Sequence, residues 1–148
     1  MKKLSHDKIM LIEDNEIDVF IVERILKNVG FKGEIITSNS VLTALNLLEE
    51  LLKNNESLPS LIFLDIVLPV HDGFYFLEKF NDLFINEEFK PEIIILTASF
   101  NPDQKTHLLN KDFVTAYFDK PLTHDIALSL LSSKYQLSNI NKPMVLKE

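Results

Sequence analysis

The stretch Leu61–Asp72, with the sequence LIFLDIVLPVHD, decides the fold of this 148-residue chain. Its first four residues are apolar without interruption, and the run is bounded by Pro59 and Pro69. Such a run is typical of a short strand that is buried on both faces of a parallel sheet. Asp65 follows the run directly, and Pro69 then turns the chain. Because ligands in an open α/β sheet lie outside the carboxyl ends of the strands, we expect Asp65 at a functional edge.

Short apolar runs alternate with helical patterns along the rest of the chain. Strands are predicted at five places: Ile9–Ile12, Glu34–Thr37, Leu61–Leu64, Ile93–Thr97 and Ala116–Phe118. Strands that alternate with helices imply right-handed βαβ units and a parallel sheet. The sequence therefore predicts an α/β fold, a doubly wound (βα)5 domain whose five-stranded parallel sheet is covered by helices on both faces.

The first predicted helix follows the strand Ile9–Ile12. Apolar residues recur in it at every fourth position, with one further apolar neighbour: Ile17, Ile21, Ile25, Val29 and Phe20. We expect this stripe to face the core, because a surface helix of a globular domain buries its apolar side.

The fourth predicted helix has a clear start but little apolar surface. Asn101 supplies a cap and Pro102 a first-turn proline. Its apolar face is thin, with Leu108 and Leu109 as the main members, so we expect this helix to be weakly anchored. After the fifth helix the periodicity is lost, and we interpret residues 135–148 as a C-terminal tail.

The composition excludes several classes of function. The chain has no cysteine, which rules out disulfides, thiolate metal sites and cysteine nucleophiles. A net charge of −7, from 22 acidic and 15 basic residues, argues against sequence-independent binding to nucleic acids. No apolar stretch approaches the roughly 20 residues of a membrane-spanning helix, and the polar N-terminus does not resemble a signal peptide. We therefore expect a cytoplasmic protein without direct contacts to DNA or membranes.

Polar side chains suited to phosphoryl chemistry occur where four of the five predicted strands end: Glu13 and Asp14 after the first, Asp65 after the third, Thr97 in the fourth, Lys120 after the fifth. Carboxylates that meet at one edge repel each other, and a cation such as Mg²⁺ removes the conflict. Taken singly, Glu13 and Asp14 fit simple helix capping, and Lys120 fits an exposed lysine. Together these residues are suited to transfer of a phosphoryl group to Asp65, with metal and lysine balancing the oxyanion charge.

In these residues the sequence resembles the receiver domain of two-component response regulators, over roughly residues 7–134. The matching motifs are Glu13-Asp14, Asp65 with Leu68-Pro69 and Asp72-Gly73, Thr97-Ala98, and Lys120-Pro121. The resemblance implies a flavodoxin-like fold with the strand order 2-1-3-4-5. It also implies a phosphoacceptor signalling protein of the CheY-like superfamily rather than an enzyme that acts on an external substrate.

The resemblance assigns a role to each residue at the expected edge. Asp65 would accept a phosphoryl group from a sensor histidine kinase or a histidine phosphotransfer protein. Mg²⁺ would be held by Asp14, Asp65 and the backbone carbonyl of Val67, with Glu13 contributing through a water molecule.

The resemblance also implies how a signal would leave the site. Thr97 and Lys120 would bind the phosphoryl oxygens. Thr97 and Tyr117 would form the switch, because the ring of Tyr117 turns inward when Thr97 moves toward the phosphoryl group. Alternation along the strand places Phe118 on the opposite face. The surface formed by the fourth helix, the fifth strand and the fifth helix would contact an unknown downstream protein, and it is a candidate surface for a homodimer.

The expected organisation is a receiver domain at residues 1–134 and the tail 135–148, forming a stand-alone regulator that signals by protein–protein contact. Two alternatives fit poorly. A phosphatase of the haloacid-dehalogenase type needs an aspartate two residues after the nucleophile, where this chain has Val67. A flavin or nucleotide binder needs a glycine- or hydroxyl-rich loop after the first strand, where this chain has Glu13–Glu16. A degenerate receiver that acts as an interaction module without phosphorylation stays open as the alternative.

Overall fold

The computed structural model describes residues 4–98 and 101–135, in which five strands alternate with five helices. The strands are β1 Leu4–Ile12, β2 Glu34–Ser38, β3 Leu58–Leu64, β4 Glu92–Thr97 and β5 Val114–Asp119. The helices are α1 Glu16–Asn28, α2 Val41–Lys53, α3 Gly73–Phe84, α4 Pro102–Leu109 and α5 His124–Tyr135. The predicted tail beyond α5 lies outside the described residues. Within the described ranges, no helix combines the length and the apolar character needed to cross a membrane.

The five strands form one parallel sheet in the order β2-β1-β3-β4-β5, which confirms the predicted fold. Ile12, the last residue of β1, pairs with Ser38 at the end of β2 and with Leu64 at the end of β3. Thr97 at the end of β4 pairs with Asp119 at the end of β5. The carboxyl ends of the strands are therefore in register along one edge of the sheet.

Helices cover both faces of the sheet, and each face has its own apolar core. On one face, α2 and α3 pack on the sheet, and the side chains of Phe76, Phe80 and Phe84 are completely buried. On the other face, α1 and α5 pack around Phe63 of β3. β3 is buried along its whole length, as expected for a central strand between two helical layers.

The predicted apolar stripe of α1 is wrong in its first turn. Ile17 and Phe20 are 70% and 60% exposed, whereas Val22, Leu26 and Val29 are buried. A step of four residues turns an α-helix by about 40° more than a full circle, so a strict four-residue repeat drifts around the axis by about 120° over three steps. The buried residues instead follow spacings of four and three, which keep them on one side of the helix.

Two strands begin three or more residues earlier than the apolar runs predict. β1 starts at Leu4 rather than Ile9, and β3 starts at Leu58, so Pro59 lies inside the strand and does not bound it. A proline is tolerated near the start of a strand, where a missing N–H costs little pairing. The register between β1 and β3 shifts between Ser5 and Ile9, so this first part of the pairing is irregular. Because the added residues of β1 are mostly polar, no apolar pattern marks them in the sequence.

Helix α4 begins as predicted. The side-chain oxygen of Asn101 accepts a hydrogen bond from the backbone N–H of Gln104 at 3.1 Å, and Pro102 occupies the first turn. Leu108 is the buried residue of this helix, and Leu109 is half-buried. The thin apolar face predicted for α4 is therefore confirmed.

Candidate functional site

The carboxylates at the sheet edge are positioned by backbone pairing that continues past the strands. The N–H of Glu13 donates to the carbonyl of Ser38 at 2.9 Å, which holds the end of β1 against β2. The N–H of Asp65 donates to the carbonyl of Ile12 at 3.2 Å, which holds the end of β3 against β1. These two hydrogen bonds fix the two acidic segments beside each other.

Three carboxylates meet at this edge. Oxygens of Glu13, Asp14 and Asp65 all lie within 4.8 Å of one another. Glu13 and Asp65 are 4% and 6% exposed, while Asp14 is open to solvent. Hard divalent cations such as Mg²⁺ take oxygen ligands and keep several waters, so a cluster with one open side fits such an ion. The structure thus brings together the three carboxylates that the sequence analysis assigned to the metal.

Lys120 inserts its ammonium group among these carboxylates. Its Nζ lies 2.6 Å from Glu13 Oε1, 2.8 Å from Asp65 Oδ2 and 2.8 Å from Asp18 Oδ2. The backbone N–H of Lys120 donates to the carbonyl of Thr97 at 2.9 Å, which aligns the end of β5 with the end of β4. Burial acts to lower the pKa of Lys120, but the hydrogen bonds to the three carboxylates outweigh it and hold the pKa above its usual value. Lys120 is therefore a fixed positive charge in the site.

The surroundings of the buried Glu13 alter the ionisation of its carboxyl group. Burial raises the pKa of Glu13, and the negative charge of Asp65 acts in the same direction. Hydrogen bonds from Lys120 and from the N–H of Asn15, the latter at 3.1 Å, act against this rise. Burial dominates, because removing a carboxylate from water disfavours its charged form.

The loop after β3 is shaped to keep Asp65 at the edge. The N–H of Val67 donates to Asp65 Oδ1 at 3.1 Å, and the N–H of Gly73 donates to the carbonyl of Ile66 at 2.9 Å. A Cβ atom at position 73 would lie 2.7 Å from the Cα of Ile66, so only glycine allows this close return of the loop. Asp72 then caps α3 by accepting from the N–H of Tyr75 at 3.0 Å. The Asp72-Gly73 motif therefore turns the chain and starts the helix.

The same loop contains a residue in a strained backbone conformation. Val70 has φ 68° and is 94% exposed. This left-handed region is unfavourable for a β-branched residue, because its Cβ crowds the backbone. Such strain is most often retained near functional sites.

The carboxylates, Lys120 and the loop after β3 enclose one open cleft of about 520 Å³. Its lining consists of eight residues: Glu13, Asp14, Asn15, Asp18, Asp65, Val67, Ala98 and Lys120. Thr97 lies at the end of β4, next to Ala98 of this lining, and is completely buried. All residues that the sequence analysis assigned to the metal and the phosphoryl group therefore lie in the cleft or directly beside it.

Tyr117 connects the sheet to α4. Its side chain is 6% exposed, its hydroxyl oxygen lies 3.5 Å from the donating Nε2 of Gln104, and the ammonium of Lys105 lies 5.9 Å from its ring centre. Burial raises the pKa of Tyr117. Phe118 packs against the core on the other face of the sheet, as the alternation predicted.

Asp18 is a site residue that the sequence analysis missed. It lies in the first turn of α1, where its N–H is capped by Asn15 Oδ1 at 3.0 Å, and its carboxylate binds Lys120. No pattern in a single sequence marks this contact, because Asp18 and Lys120 are 102 residues apart in the chain. The structure therefore adds a fourth carboxylate to the surroundings of Lys120.

Comparison with known proteins agrees with this fold. The model of the response regulator receiver domain matches residues 9–131. A two-component response regulator from Cytophaga hutchinsonii is similar to this chain with a TM-score of 0.73 and 30% identity, over 86% of this chain and 95% of that one. The Mn²⁺-bound form of the response regulator Rcp1 is similar with a TM-score of 0.65 and 26% identity, over 93% and 99% of the two chains.

A curated relative shows the same similarity over part of its length. The transcriptional regulatory protein YxdJ of Bacillus subtilis is 26% identical over 128 residues, which are 86% of this chain and 50% of that protein. This chain thus spans half the length of that regulator. The family match covers most of the described residues, and the chain belongs to the response regulator receiver domains of two-component signalling.

Proposed function

We propose that this chain is a phosphorylation-driven switch whose Asp65 accepts a phosphoryl group from a histidine of a sensor histidine kinase or a phosphotransfer protein. The observation that carries this proposal is the surroundings of Asp65. Its carboxylate is nearly buried, lies in a cluster of three carboxylates, and contacts the ammonium of Lys120 at 2.8 Å. Receiver domains act as phosphoacceptors for such histidine donors, and this acidic cleft has the composition that the reaction needs.

The proposed reaction moves one phosphoryl group between two proteins. An oxygen of Asp65 attacks the phosphorus of the phosphohistidine, a new O–P bond forms, the N–P bond breaks, and the electron pair leaves with the imidazole nitrogen. Lys120 and the hydroxyl of Thr97 then stabilise the phosphoryl oxygens, since both lie at the ends of strands beside Asp65. The later loss of the phosphoryl group to water completes the cycle, so the chain transforms no other substrate.

The residues of the cleft fit Mg²⁺ as the cofactor of this reaction. Asp14 and Asp65 would hold the ion together with the backbone carbonyl of Val67, and Glu13 would contribute through a water molecule. When bound, the ion neutralises charge on the carboxylate and phosphoryl oxygens. Rcp1, which shares the fold over nearly its whole length, is known in a Mn²⁺-bound form, and this supports a divalent cation as the cofactor of this chain.

Exposed apolar side chains lie close in sequence to residues that line the cleft, and they offer a surface for the histidine donor. Ile17 and Phe20 project from the first turns of α1, beside Asp18, and are more than half exposed. Val67 and Val70 are 62% and 94% exposed in the loop after β3. Exposed apolar side chains close to an acidic reaction site are typical of a surface that docks a protein partner.

The signal would leave through Thr97, Tyr117 and α4. Phosphorylation would draw Thr97 toward Asp65 and let the ring of Tyr117 change position, which alters its contacts with Gln104 and Lys105 of α4. In this proposal residues 1–134 act as the receiver domain in the cytoplasm, and residues 135–148 form its tail. Its output is a contact with a downstream protein, or with a second copy of the chain, through α4, β5 and α5, and does not involve binding to DNA.

Phosphoryl uptake tests the proposal directly. The intact mass of the wild-type chain is measured after incubation with acetyl phosphate or phosphoramidate, which carries the N–P bond of phosphohistidine, with and without Mg²⁺. We expect a Mg²⁺-dependent gain of one phosphoryl group, which is absent in Asp65→Asn. Asp72→Asn is the matched control, since it removes a carboxylate from the same loop but keeps a residue that caps a helix well.

The control separates the proposal from its alternative. Uptake by wild type and by Asp72→Asn, but not by Asp65→Asn, supports acceptance on Asp65. If the folded wild type gains no phosphoryl group from either donor in Mg²⁺, the proposal is overturned in favour of a degenerate receiver that acts as an interaction module without phosphorylation.

A further inference from the structure

The ammonium group of Lys120 has one carboxylate partner for each of its three N–H groups. A lysine ammonium has three N–H groups, and the three carboxylates of Glu13, Asp18 and Asp65 lie within 2.6–2.8 Å of it. Two of these partners, Glu13 and Asp65, also belong to the cluster that fits a divalent cation. The third, Asp18, lies outside that cluster.

This arrangement places Mg²⁺ and Lys120 in competition. Both cations need the oxygens of Glu13 and Asp65, and two positive charges on the same oxygens repel each other. When the ion binds, the ammonium must give up part of its contact with these two residues. A phosphoryl group on Asp65 would change the surroundings of Lys120 a second time.

Asp18 is suited to hold the ammonium through both changes. Its side chain is 31% exposed, against 3% for Glu13 and 6% for Asp65, so it has the freedom to follow a moving partner. Its backbone is fixed in the first turn of α1 by the cap from Asn15. Asp18 therefore offers a negative charge beside the cleft that does not depend on the occupants of the cation cluster.

We propose that Asp18 is a positioning residue that keeps the Lys120 ammonium in the cleft while Mg²⁺ and the phosphoryl group replace its other two partners. Asp18 acts through Lys120 and touches neither the phosphorus nor the leaving nitrogen. This inference rests on the proposed function, because it assumes that a divalent cation occupies the cluster of Glu13, Asp14 and Asp65.

The first test measures Mg²⁺ binding to the full, unphosphorylated chain by isothermal titration calorimetry. Without Asp18 the ammonium is shared by Glu13 and Asp65 alone, and Mg²⁺ must displace it from both. We expect Asp18→Ala to weaken Mg²⁺ binding about tenfold, the effect of losing one hydrogen bond to a charged group. Asp18→Asn keeps an oxygen acceptor and should give an intermediate value. The control Glu16→Gln removes a carboxylate from the same helical turn and should stay within about twofold of wild type.

The second test follows the ammonium itself by ¹⁵N NMR of the Lys120 side chain in Mg²⁺. In wild type and in Glu16→Gln, a held ammonium should give a signal protected from exchange with water, and Asp18→Ala should lose it. Equal Mg²⁺ affinities and equal Lys120 signals in Asp18→Ala and Glu16→Gln would overturn the inference. A lower melting temperature of Asp18→Ala with both readouts unchanged would overturn it as well, because Asp18 would then be only a structural link between α1 and β5.

Neither measurement uses a phosphoryl donor. Failure of Asp65 to take up a phosphoryl group would therefore contradict the proposed function without changing these two results. Loss of the Asp18 effect would contradict the inference and leave phosphoryl uptake intact.

Discussion

Helices α3 and α4 pack on the same face of the sheet, but they are anchored very differently. α3 buries three phenylalanine rings completely, and the rings of Phe76 and Phe80 and of Phe80 and Phe84 lie 5.7 and 4.5 Å apart. α4 has only eight residues, buries Leu108, packs the half-buried Leu109 against the same core, and adds polar contacts such as that of Gln104 with Tyr117. α3 is therefore anchored by several fully buried side chains, whereas α4 is anchored mainly by Leu108.

This difference indicates which part of the molecule can move without unfolding it. Buried apolar area dominates stability, so an element with one buried side chain opens locally at much lower cost than an element with three buried rings. α3 begins directly after the loop that fixes Asp65, and its buried rings keep this loop in place. α4 contacts Tyr117. The helix that we expect to open more easily therefore lies where the proposed signal would leave the site.

The largest effect is expected from removing the central ring of α3. Phe80→Ala should lower the free energy of unfolding by about 3–5 kcal/mol, because it leaves a cavity among fully buried side chains. Chemical denaturation followed by circular dichroism measures this loss. Phe20→Ala is the matched control, since that ring is 60% exposed and its removal should change stability by about 0.5 kcal/mol or less. A small loss for Phe80→Ala would contradict the view that α3 is the anchored helix.

The second-largest effect is a difference in amide hydrogen exchange between α3 and α4 of the wild-type protein. Backbone amides of α4 should exchange with deuterium about 100-fold faster than those of α3, which corresponds to a difference in opening free energy of about 2.7 kcal/mol. The reason is that α4 can detach without exposing the phenylalanine core. Hydrogen exchange resolved by NMR provides the measurement. Equal protection of the amides of Phe80 and Leu108 would show that both helices open only with the whole domain.

A third, smaller effect concerns the loop that leads into α3. Val70→Asn should raise the free energy of unfolding by about 1 kcal/mol, because asparagine tolerates the left-handed backbone that strains valine. Thermal denaturation checks this gain, and Val67→Asn serves as the control at an exposed valine of the same loop without positive φ. If both variants change stability equally, the backbone of Val70 stores no strain and the entry to α3 is relaxed.

The smallest effect is a pH dependence of the free energy of unfolding, which arises from Tyr117 next to α4. Burial raises the pKa of Tyr117, so the folded chain retains this proton at a pH where the unfolded chain has lost it. The resulting stabilisation is complete below about pH 10, the ordinary tyrosine value, and is lost as the pH rises through the folded-state pKa. Wild type should therefore lose stability more steeply than Tyr117→Phe above pH 10, as urea denaturation at several pH values would show. Parallel curves would mean that Tyr117 titrates like an exposed tyrosine.

Much of the fold follows from the sequence, because an uninterrupted apolar run of strand length is stable only where both faces of the strand are buried. Leu61–Leu64 is buried on both faces, as its uninterrupted run predicted. The clustering of Glu13, Asp14 and Asp65 follows in turn, since parallel strands in register bring their carboxyl ends together. The strand order itself came from the resemblance to receiver domains and not from the periodicity.

The features that the sequence analysis missed depend on packing in three dimensions. The exposure of Ile17 and Phe20 depends on the rotation of α1 over the sheet, which a four-residue repeat does not determine. The contact of Asp18 with Lys120 joins two distant segments, and a single sequence contains no pattern that pairs them. The left-handed backbone of Val70 is opposed by the intrinsic preference of valine, so local propensity predicts the wrong conformation there.

Lys120 is far from its partners along the chain, and this has a consequence for folding during synthesis on the ribosome. Lys120 lies 102 residues after Asp18 and 55 residues after Asp65. Asp65 therefore leaves the ribosome well before the lysine that completes its surroundings, and domains fold as units once their segments have emerged. Until β5 is synthesised and added to the sheet, the carboxylates have no ammonium beside them. If the proposed function holds, nascent or prematurely terminated chains would not respond to a phosphoryl donor, because the response requires the complete sheet.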